Sequence, residues 1–194
     1  MSGNREKGKL VIISGPSGVG KSTICSELVK KSKALLSVSV TTRPRSEEEV
    51  DGRDYWFVST EEFAKKLEKG EFVEHAEVFG NLYGTPRDKL EQALSKEENI
   101  ILEIDVQGAR IVKEQYPEAV MVFIMAPSQA DLAERMNKRG RGEDSETAKR
   151  RLNGAGREIA AAWQYYDHMV INDDLEQAVE EIIRIIEGKV EKKK

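Results

Sequence analysis

The sequence predicts an α/β fold in which a parallel β-sheet is covered by helices on both faces. Three observations support this prediction: strand-sized apolar runs alternate with helical stretches, a glycine-rich turn joins the first strand to the first helix, and the 194 residues allow one domain with a small insertion. Strands separated by helices favour parallel pairing, because a return to the same edge of a sheet needs a long crossover. A chain of this length can also bury a core without disulfides or metals.

The first half of the chain contains strands that are apolar or aromatic runs and helices that begin at recognisable signals. Strands are expected at residues 9–14, 35–40, 55–58 and 72–79, and helices at residues 21–31, 59–70 and 85–96. Ser59 and Glu62 form a capping box at the second helix, which ends at Gly70. Thr85 and Pro86 supply a cap and a first-turn proline for the third helix.

The second half of the chain repeats the strand and helix pattern more regularly. Strands are expected at residues 100–104, 120–125 and 169–171, and helices at residues 108–115, 128–138, 145–166 and 175–187. Ser128 is positioned to cap its helix, and residues 139–144 form a polar, glycine-rich loop. Residues 43–85 depart from the pattern, because they hold several short strands and only one helix. We interpret them as a small inserted subdomain.

Composition and charge exclude several classes of protein. The net charge of −4 disfavours a globally basic nucleic-acid-binding protein. Cys25 is the only cysteine, so neither an internal disulfide nor a C-x-x-C metal site is expected. No apolar run approaches the roughly 18 residues that span a bilayer, and the polar residues 1–9 lack a signal core. We therefore expect a cytoplasmic protein that binds neither nucleic acid nor membrane.

The glycine-rich turn carries the most specific single motif. Residues 15–22, GPSGVGKS, match G-x-x-x-x-G-K-[ST] in full, and we call them the phosphate-binding loop. The glycines let consecutive backbone N–H groups curl around phosphate oxygens, and the following helix adds its N-terminal dipole. Lys21 is positioned to reach the β- and γ-phosphates, and Ser22 to hold Mg²⁺. The motif therefore predicts a site for a nucleoside triphosphate with Mg²⁺.

Arginines in two polar loops suggest a second phosphate-bearing ligand. The arginines are Arg43 and Arg45 in the first loop, Arg139 and Arg141 in the second, and Arg150 and Arg151 in the long helix. Guanidinium forks match phosphate oxygens in pairs, although a solvated surface charge is the alternative for each one alone. No histidine or carboxylate stands in an obvious general-base arrangement. A phosphate monoester needs none, because its second pKa is about 6, so a nucleoside monophosphate is favoured as the acceptor.

The base of that nucleotide is addressed by polar residues near the inserted subdomain. Guanine presents N–H donors that suit carboxylates and acceptors that suit hydroxyls or arginine. The candidates are Ser39, Glu74, Tyr83, Thr85 and Asp105. Asp105 closes an apolar strand at the sheet edge where open α/β folds bind ligands, whereas an exposed strand position is the alternative for Glu74.

Six segments together resemble the guanylate kinase family over residues 10–187. They are ISGPSGVGKST at 13–23, SVSVTTRPR at 37–45, VDGRDYWFV at 50–58, FVEHAEVFGNLYGTP at 72–86, LEIDVQGA at 102–109 and VINDD at 170–174. The resemblance implies the reaction ATP + GMP ⇌ ADP + GDP on a P-loop NTPase fold. It implies a core at residues 9–42, 86–138 and 167–190, a GMP-binding α+β subdomain at 43–85 and a lid at 139–166.

The resemblance also implies roles for individual residues. The catalytic residues would be Lys21, Arg43, Arg139 and Arg151, acting by charge neutralisation and domain closure rather than through a general base. The ATP-binding residues would be Gly15, Pro16, Ser17, Gly18, Val19, Gly20, Lys21, Ser22 and Thr23, with Asn172 near the adenine. The GMP-binding residues would be Ser39, Arg43, Arg45, Tyr55, Glu74, Tyr83, Thr85 and Asp105. Mg²⁺ would be held by Ser22, and by Glu103 and Asp105 through water.

The chain departs from the family pattern in its two arginine loops. Pro44 directly follows Arg43 where the family has one residue between, so Arg45 is either shifted or compensated by residues 46–49. Glu48 replaces a usual glycine within an acidic run, residues 47–49, that should weaken local anion attraction. In the lid, Arg139 and Arg141 are both candidates for one arginine, and Arg139 is preferred.

Two other readings of the sequence stay open beside the leading one. A related kinase for another phosphorylated acceptor, such as a sugar bisphosphate, is disfavoured by Glu74, Thr85 and Asp105. A non-catalytic peptide-binding module is disfavoured by Lys21 and Ser22. The expected partners are ATP and GMP, with dGMP as a further acceptor, and the expected oligomeric state is a monomer or a homodimer.

Overall fold

The computed structural model describes residues 8–78, 80–138, 155–156 and 158–192. Its elements are β1 (Leu10–Ser14), α1 (Lys21–Ser32), β2 (Leu35–Ser37), β3 (Val40–Thr41), β4 (Trp56–Phe57), α2 (Thr60–Glu68), β5 (Phe72–Val78), β6 (Asn81–Pro86), α3 (Arg87–Ser95), β7 (Ile100–Glu103), α4 (Val106–Gln115), β8 (Val120–Met125), α5 (Gln129–Lys138), α6 (residues 158–165), β9 (His168–Ile171) and α7 (Leu175–Ile186). Within these described residues, no helix is both long and apolar enough to cross a membrane.

Five parallel strands form the central sheet, in the order β2-β7-β1-β8-β9. Every residue of β1 is buried, and alternate residues face opposite sides. Val11 and Ile13 pack with residues of α1 and α7, whereas Leu10 and Ile12 pack with residues of α3 and α4. Burial on both faces is what a parallel sheet requires, since its crossover helices cover both. The α/β prediction is confirmed, and the carboxyl ends of the strands meet at one edge.

A second, four-stranded sheet lies within residues 40–86, in the order β4-β3-β6-β5. β3 pairs antiparallel with β6 and parallel with β4, and β5 forms an antiparallel hairpin with β6. Phe63 of α2 stacks on Phe72 of β5 with ring centroids 4.6 Å apart. The predicted capping box of α2 is present between Ser59 and Glu62. The sheet begins at Val40, whereas the sequence assigns the inserted subdomain to residues 43–85.

Tyr55 and Trp56, two neighbouring aromatic residues at the start of β4, have different surroundings. Tyr55 packs edge-on against Tyr83, with ring centroids 5.8 Å apart. Trp56 lies against Gly52 instead, where an added Cβ would come within 2.8 Å of the indole. Gly52 has a φ of +76°, so this turn needs glycine for both its conformation and its space. Successive residues of a strand point to opposite faces, which explains why the two rings have different surroundings.

The predicted strand at residues 35–40 is wrong, because these residues belong to two strands in different sheets. β2 pairs with β7 through residues 35–37, whereas β3 pairs with β4 and β6 from Val40 onward. The segment has no Gly or Pro to mark a break between the two strands. Their separation depends on pairing partners far along the chain, which local strand preference does not reveal.

A second correction concerns the segment before α3. Thr85 and Pro86 are the last residues of β6, a strand that the sequence did not indicate, and Pro86 occupies the N-cap position of α3. The register of the hairpin sets Thr85 opposite Glu74, and the Thr85 hydroxyl donates to that carboxylate instead of capping the helix. Cross-strand pairing therefore decides the structure of this segment.

The other predicted helices agree with the structure where it describes them. α4 begins earlier than expected, at Val106, because the Asp105 side chain caps it by accepting from the backbone N–H of Gly108. Ser128 is the predicted cap of α5, and its Oγ accepts from the backbone N–H of Asp131 at 3.1 Å. Of the long helix predicted at 145–166, residues 155–156 and 158–165 are helical. Residues 145–154 and 157 lie outside the described part of the chain.

Candidate active site

The phosphate-binding loop packs closely against the elements behind it. A Cβ added at Gly15 would lie 2.4 Å from the carbonyl oxygen of Ile124 on β8. Gly20 has a φ of +99°, and a Cβ there would lie 2.6 Å from the side-chain nitrogen of Asn172. Both positions therefore require glycine, one for close approach and the other for a left-handed conformation as well. These contacts hold the backbone of the loop in one shape.

Lys21 folds back over the phosphate-binding loop. Its Nζ donates to the carbonyl oxygens of Gly15 at 2.6 Å and Pro16 at 3.1 Å. α1 begins at the same residue, and the carbonyl of Gly20 accepts from the N–H of Ile24 at 3.0 Å. The ammonium group therefore lies beside the positive end of a helix, where an anion is doubly favoured.

Ser22 and Glu103 connect the phosphate-binding loop to the carboxyl end of β7. Ser22 Oγ donates to Glu103 Oε1 at 3.0 Å. Hydroxyl and carboxylate oxygens are hard ligands of the kind that Mg²⁺ prefers, usually with water and substrate phosphates completing its octahedron. The pair therefore fits an Mg²⁺ ion that is bound mainly by nucleotide phosphates and water.

Asn172, directly after β9, supports the phosphate-binding loop from behind. Its Nδ2 donates to the carbonyl of Val19 at 2.8 Å, and its backbone N–H donates to the carbonyl of Met125 at 2.8 Å. Arg135 of α5 in turn donates from Nη1 to the carbonyl of Asn172 at 2.8 Å. The side chain of Asn172, expected near the adenine, is buried and bonded to the backbone of the loop.

Arg43 is at the centre of a polar and aromatic group on the second sheet, which we call the Arg43 cluster: Arg43, Glu49, Tyr55, Phe57 and Tyr83. The Arg43 guanidinium pairs with Glu49 through Nη2–Oε1 at 2.7 Å and Nη1–Oε2 at 3.0 Å. It lies 5.4 Å from the ring centroid of Tyr55 and 5.6 Å from that of Phe57. The Arg43 hydrogen bond is the main cause that lowers the pKa of Glu49 to about 2. Glu49 holds the pKa of Arg43 above its ordinary value, with a smaller contribution from Tyr83.

Arg45 and Ser39 lie at the margins of this cluster. Arg45 is exposed, and its Nη1 donates to the backbone carbonyl of Glu49 at 2.9 Å. Ser39 lies between β2 and β3, and its carbonyl accepts from the N–H of Trp56 at 2.9 Å. Neither side chain hydrogen-bonds to Arg43 within the described part of the chain. Arg45 therefore contacts the backbone of the loop that holds Glu49, and not the Arg43 side chain.

Glu74 is a buried carboxyl group at the contact between β5 and α4. Thr85 Oγ1 donates to Glu74 Oε1 at 2.5 Å, and Glu74 Oε2 fills the space that a side chain at Gly108 would need. Asp105 Oδ1 accepts from the N–H of Gly108 at 2.8 Å, so both carboxyl groups adjoin the first turn of α4. Burial is the main cause that raises the pKa of Glu74 to about 7, and the charge of Asp105 adds to it.

Glu103 and Glu158 connect the phosphate-binding loop and the Arg43 cluster electrostatically. After burial, Glu103 is the largest cause that raises the pKa of Cys25 in α1 and that of Tyr55 in the Arg43 cluster. The pKa of Glu158 on α6 is raised, mainly by burial, and the charge of Lys21 partly offsets this rise. The phosphate-binding loop and the Arg43 cluster are therefore both within electrostatic reach of the carboxyl end of β7.

Some predicted residues lie outside the described part of the chain, and some residues of the site were not predicted. Those outside it are Arg139, Arg141, Arg150 and Arg151. Those not predicted are Arg135, Glu49 and Glu158. The acidic run at residues 47–49 was a usable signal for Glu49, because acidic residues beside an arginine loop favour an internal ion pair. No comparable signal distinguishes Arg135 or Glu158 from surface charges on a helix.

The arrangement offers two groups of residues that suit anionic ligands. The loop N–H groups and Lys21 suit a polyphosphate, and the Arg43 cluster suits a phosphate monoester. Glu74 with Thr85 offers a carboxyl and a hydroxyl to a planar ring that carries N–H donors and oxygen acceptors.

Comparison with known proteins gives a consistent result. Residues 7–189 match the family model described as guanylate kinase. The chain is 47% identical over 184 residues to the guanylate kinase of Symbiobacterium thermophilum, covering 94% of this chain and 86% of the relative. The crystal structure of guanylate kinase from Anaplasma phagocytophilum is similar with a TM-score of 0.80 and 37% identity, covering 95% of this chain and 87% of that one. A gluconokinase from Sinorhizobium meliloti 1021 shares the fold alone, with a TM-score of 0.54 and 16% identity over 96% of this chain and 95% of that one.

Proposed function

The chain belongs to the guanylate kinase family, and we propose on that premise how its residues act as an ATP:GMP phosphotransferase. The enzyme transfers the γ-phosphate of ATP to GMP and forms ADP and GDP. The observation that carries the residue assignment is the buried pair of Glu74 and Thr85. A carboxyl and a hydroxyl held together at the contact between β5 and α4 suit guanine, whereas a sugar phosphate offers no ring of N–H donors to match them.

The proposed donor site is the phosphate-binding loop. Its ligating set comprises Gly15, Pro16, Ser17, Gly18, Val19, Gly20, Lys21, Ser22 and Thr23, with Asn172 supporting the loop behind them. Lys21 exchanges its two backbone carbonyl partners for oxygens of the β- and γ-phosphates. An ionised acceptor makes a stronger hydrogen bond to an ammonium group than a neutral carbonyl does, so this exchange is favourable.

The proposed cofactor is Mg²⁺, which accompanies ATP. Ser22 would hold it directly, and Glu103 and Asp105 would hold it through water. Asp105 can do so with Oδ2, because its Oδ1 accepts from the backbone N–H of Gly108. When bound, Mg²⁺ neutralises charge on the β- and γ-phosphates.

The proposed acceptor site is the second sheet. Arg43 holds the phosphate of GMP with Tyr55 and Tyr83, and the remaining contacts to that nucleotide come from Ser39, Arg45, Glu74, Thr85 and Asp105. The proposal includes dGMP as an acceptor, because Glu74 and Thr85 address the base and not the sugar. It also includes action in the cytoplasm as a monomer or homodimer.

In the proposed reaction, an oxygen of the GMP phosphate attacks the γ-phosphorus of ATP. The bond from the γ-phosphorus to its bridging oxygen breaks, and ADP leaves with that electron pair. No proton needs to be removed, because the acceptor phosphate is mostly dianionic near neutral pH. Lys21 and Arg43, with Arg139 and Arg151 from the expected lid, stabilise the transferring group by charge, and closure excludes water.

The experiment that tests this function is a coupled ADP-release assay with ATP, Mg²⁺ and each of GMP, dGMP, AMP, CMP and UMP. We expect turnover with GMP and dGMP and little with the other three. Turnover with AMP equal to that with GMP would remove Glu74 and Thr85 from base recognition. Folded protein that binds ATP but uses none of these acceptors would favour a sugar-phosphate kinase or a peptide-binding module instead.

A further inference from the structure

Glu49 is the residue that organises the Arg43 cluster, although it belongs to the acidic run expected to weaken anion binding. Its side chain is 16% exposed, and the Arg43 side chain is 18% exposed. Besides its two contacts with Arg43, Glu49 Oε2 accepts from the backbone N–H of Ser46 at 2.9 Å and from Ser46 Oγ at 2.7 Å. The carboxylate is therefore tied to its own loop, and four donors hold it in one orientation.

Glu49 holds the Arg43 guanidinium by one edge, formed by Nη1 and Nη2. Nη1 and Nη2 carry the bidentate pair with Glu49, and Nη1 also donates to the carbonyl of Pro44 at 2.9 Å. The rings of Tyr55 and Phe57 lie within 5.6 Å of the guanidinium carbon. None of these hydrogen bonds uses Nε of Arg43, and the phenol of Tyr83 is a further hydrogen-bonding neighbour of the guanidinium that contributes to its raised pKa. The edge formed by Nε and the second Nη2 hydrogen is thus still able to form a fork with a phosphate.

We propose that Glu49 is a positioning residue for the acceptor phosphate. It holds the Arg43 guanidinium by the Nη1–Nη2 edge so that the Nε–Nη2 edge is presented to the GMP phosphate. Glu49 acts through Arg43 and does not touch the substrate. Arranging the cation before the ligand arrives removes an ordering cost from binding. This inference rests on the proposed function, since it assigns Arg43 to the acceptor nucleotide.

A competing role for Glu49 is that of an internal anion that occupies the place of the phosphate. In that case GMP would have to displace the carboxylate from Arg43. The two hydrogen bonds from Ser46 and the contact of Arg45 with the Glu49 carbonyl oppose such displacement, because all three keep Glu49 within its loop. The two roles predict opposite effects of removing the carboxylate.

The test compares Glu49→Ala, Glu49→Gln and Glu49→Asp with two matched controls, Glu47→Gln and Glu48→Gln. The controls remove the same charge from the same acidic run, but neither residue hydrogen-bonds to Arg43 in the described part of the chain. GMP binding is measured by calorimetry without ATP, and guanosine binding by its competition with GMP. KM for ATP and for GMP is measured by steady-state kinetics. Thermal unfolding shows which variants fold, and the Asp and Gln variants serve if the Ala variant does not.

We expect Glu49→Ala and Glu49→Gln to weaken GMP binding by about ten- to a hundredfold, the effect of losing a charged hydrogen bond to the phosphate. KM for ATP and the affinity for guanosine should stay within about twofold, because neither involves the acceptor phosphate. Glu49→Asp should recover part of the affinity, and both controls should resemble the unaltered protein.

Three results would overturn the proposal. They are tighter GMP binding by Glu49→Ala, an equal loss of guanosine and GMP binding, or an equal effect of the Glu48→Gln control. If the unaltered protein neither binds nor phosphorylates GMP, the proposed function itself fails. If it does both and the Glu49 variants are silent, only the role of Glu49 fails.

Discussion

The proposed donor and acceptor halves of this site, the phosphate-binding loop and the Arg43 cluster, are built by different means. The phosphate-binding loop presents backbone N–H groups, and buried contacts from Ile124, Asn172 and the start of α1 hold its shape. The Arg43 cluster presents side chains, and an ion pair with two aromatic rings holds the key cation. The geometry of a site made of backbone N–H groups depends on glycines and on packing. The geometry of a site made of side chains depends on the ion pairs and ring contacts that orient each charged group. A substitution at a loop glycine therefore disturbs the backbone of the phosphate-binding loop, whereas a substitution in the Arg43 cluster removes or reorients a single side chain.

The sharpest test of the donor half is Lys21→Ala. We expect kcat to fall by about a thousandfold, because the variant loses a cation that stabilises charge on the transferring group. Lys30→Ala is the matched control, since Lys30 lies on the same helix, is exposed, and pairs with Glu27 of its own helix. A folded Lys21→Ala protein with nearly normal kcat would contradict the assignment of the loop to ATP.

The acceptor half is tested by Arg43→Lys and Arg43→Ala. We expect KM for GMP to rise by about a hundredfold in the Ala variant, the loss of roughly 3 kcal/mol from charged hydrogen bonds. The Lys variant should recover little, because an ammonium group has no planar fork. Arg53→Lys, a change to an exposed arginine paired with Asp54, provides the control. A rise in KM for ATP with unchanged KM for GMP would reverse the two halves.

Glu74 gives the acceptor half a specific pH dependence. Its pKa is raised to about 7, so its ionised fraction falls from about nine-tenths at pH 8 to about one-tenth at pH 6. If the carboxylate is the form that accepts from guanine, GMP affinity should fall about tenfold from pH 8 to pH 6 beyond the effect of the phosphate's own titration. Glu74→Gln should remove that component and relax the preference for GMP over AMP. A Gln variant with the pH profile of the unaltered protein would contradict this role.

The smallest expected effect comes from Asn172→Ala, which removes a support of the donor loop. The carbonyl of Val19 would lose its hydrogen bond in a buried place, which costs about 1–3 kcal/mol of stability. KM for ATP should rise only a few-fold, because the other loop contacts remain. Asp173→Asn is the control, since this neighbouring residue is exposed. Unchanged thermal stability in Asn172→Ala would show that the loop does not need this contact.

The two halves also differ in how far the sequence reveals them. The phosphate-binding loop could be predicted in detail, because its geometry follows from eight consecutive residues between a strand and a helix. The role of Glu49 could not, since it depends on how the loop after Arg43 folds when Pro44 follows directly. The strand β6, which pairs locally with β5, was missed because Thr85 and Pro86 also fit the start of a helix. The break between residues 37 and 40 was missed because it is decided by pairing with distant strands. Glu74 and Thr85 were named as neighbours of the base, but their direct contact needed the hairpin register.

Trp56 gives the acceptor half an optical signal of its own. The indole lies over Gly52 in the loop that follows Arg43, is 43% exposed, and directly follows Tyr55 in the chain. The chain has two tryptophans, and the other, Trp163, lies on α6 beside the central sheet. Replacing Trp163 with Phe would leave Trp56 as the single tryptophan, so that its emission would report on the packing of the loop around Gly52 without an attached dye.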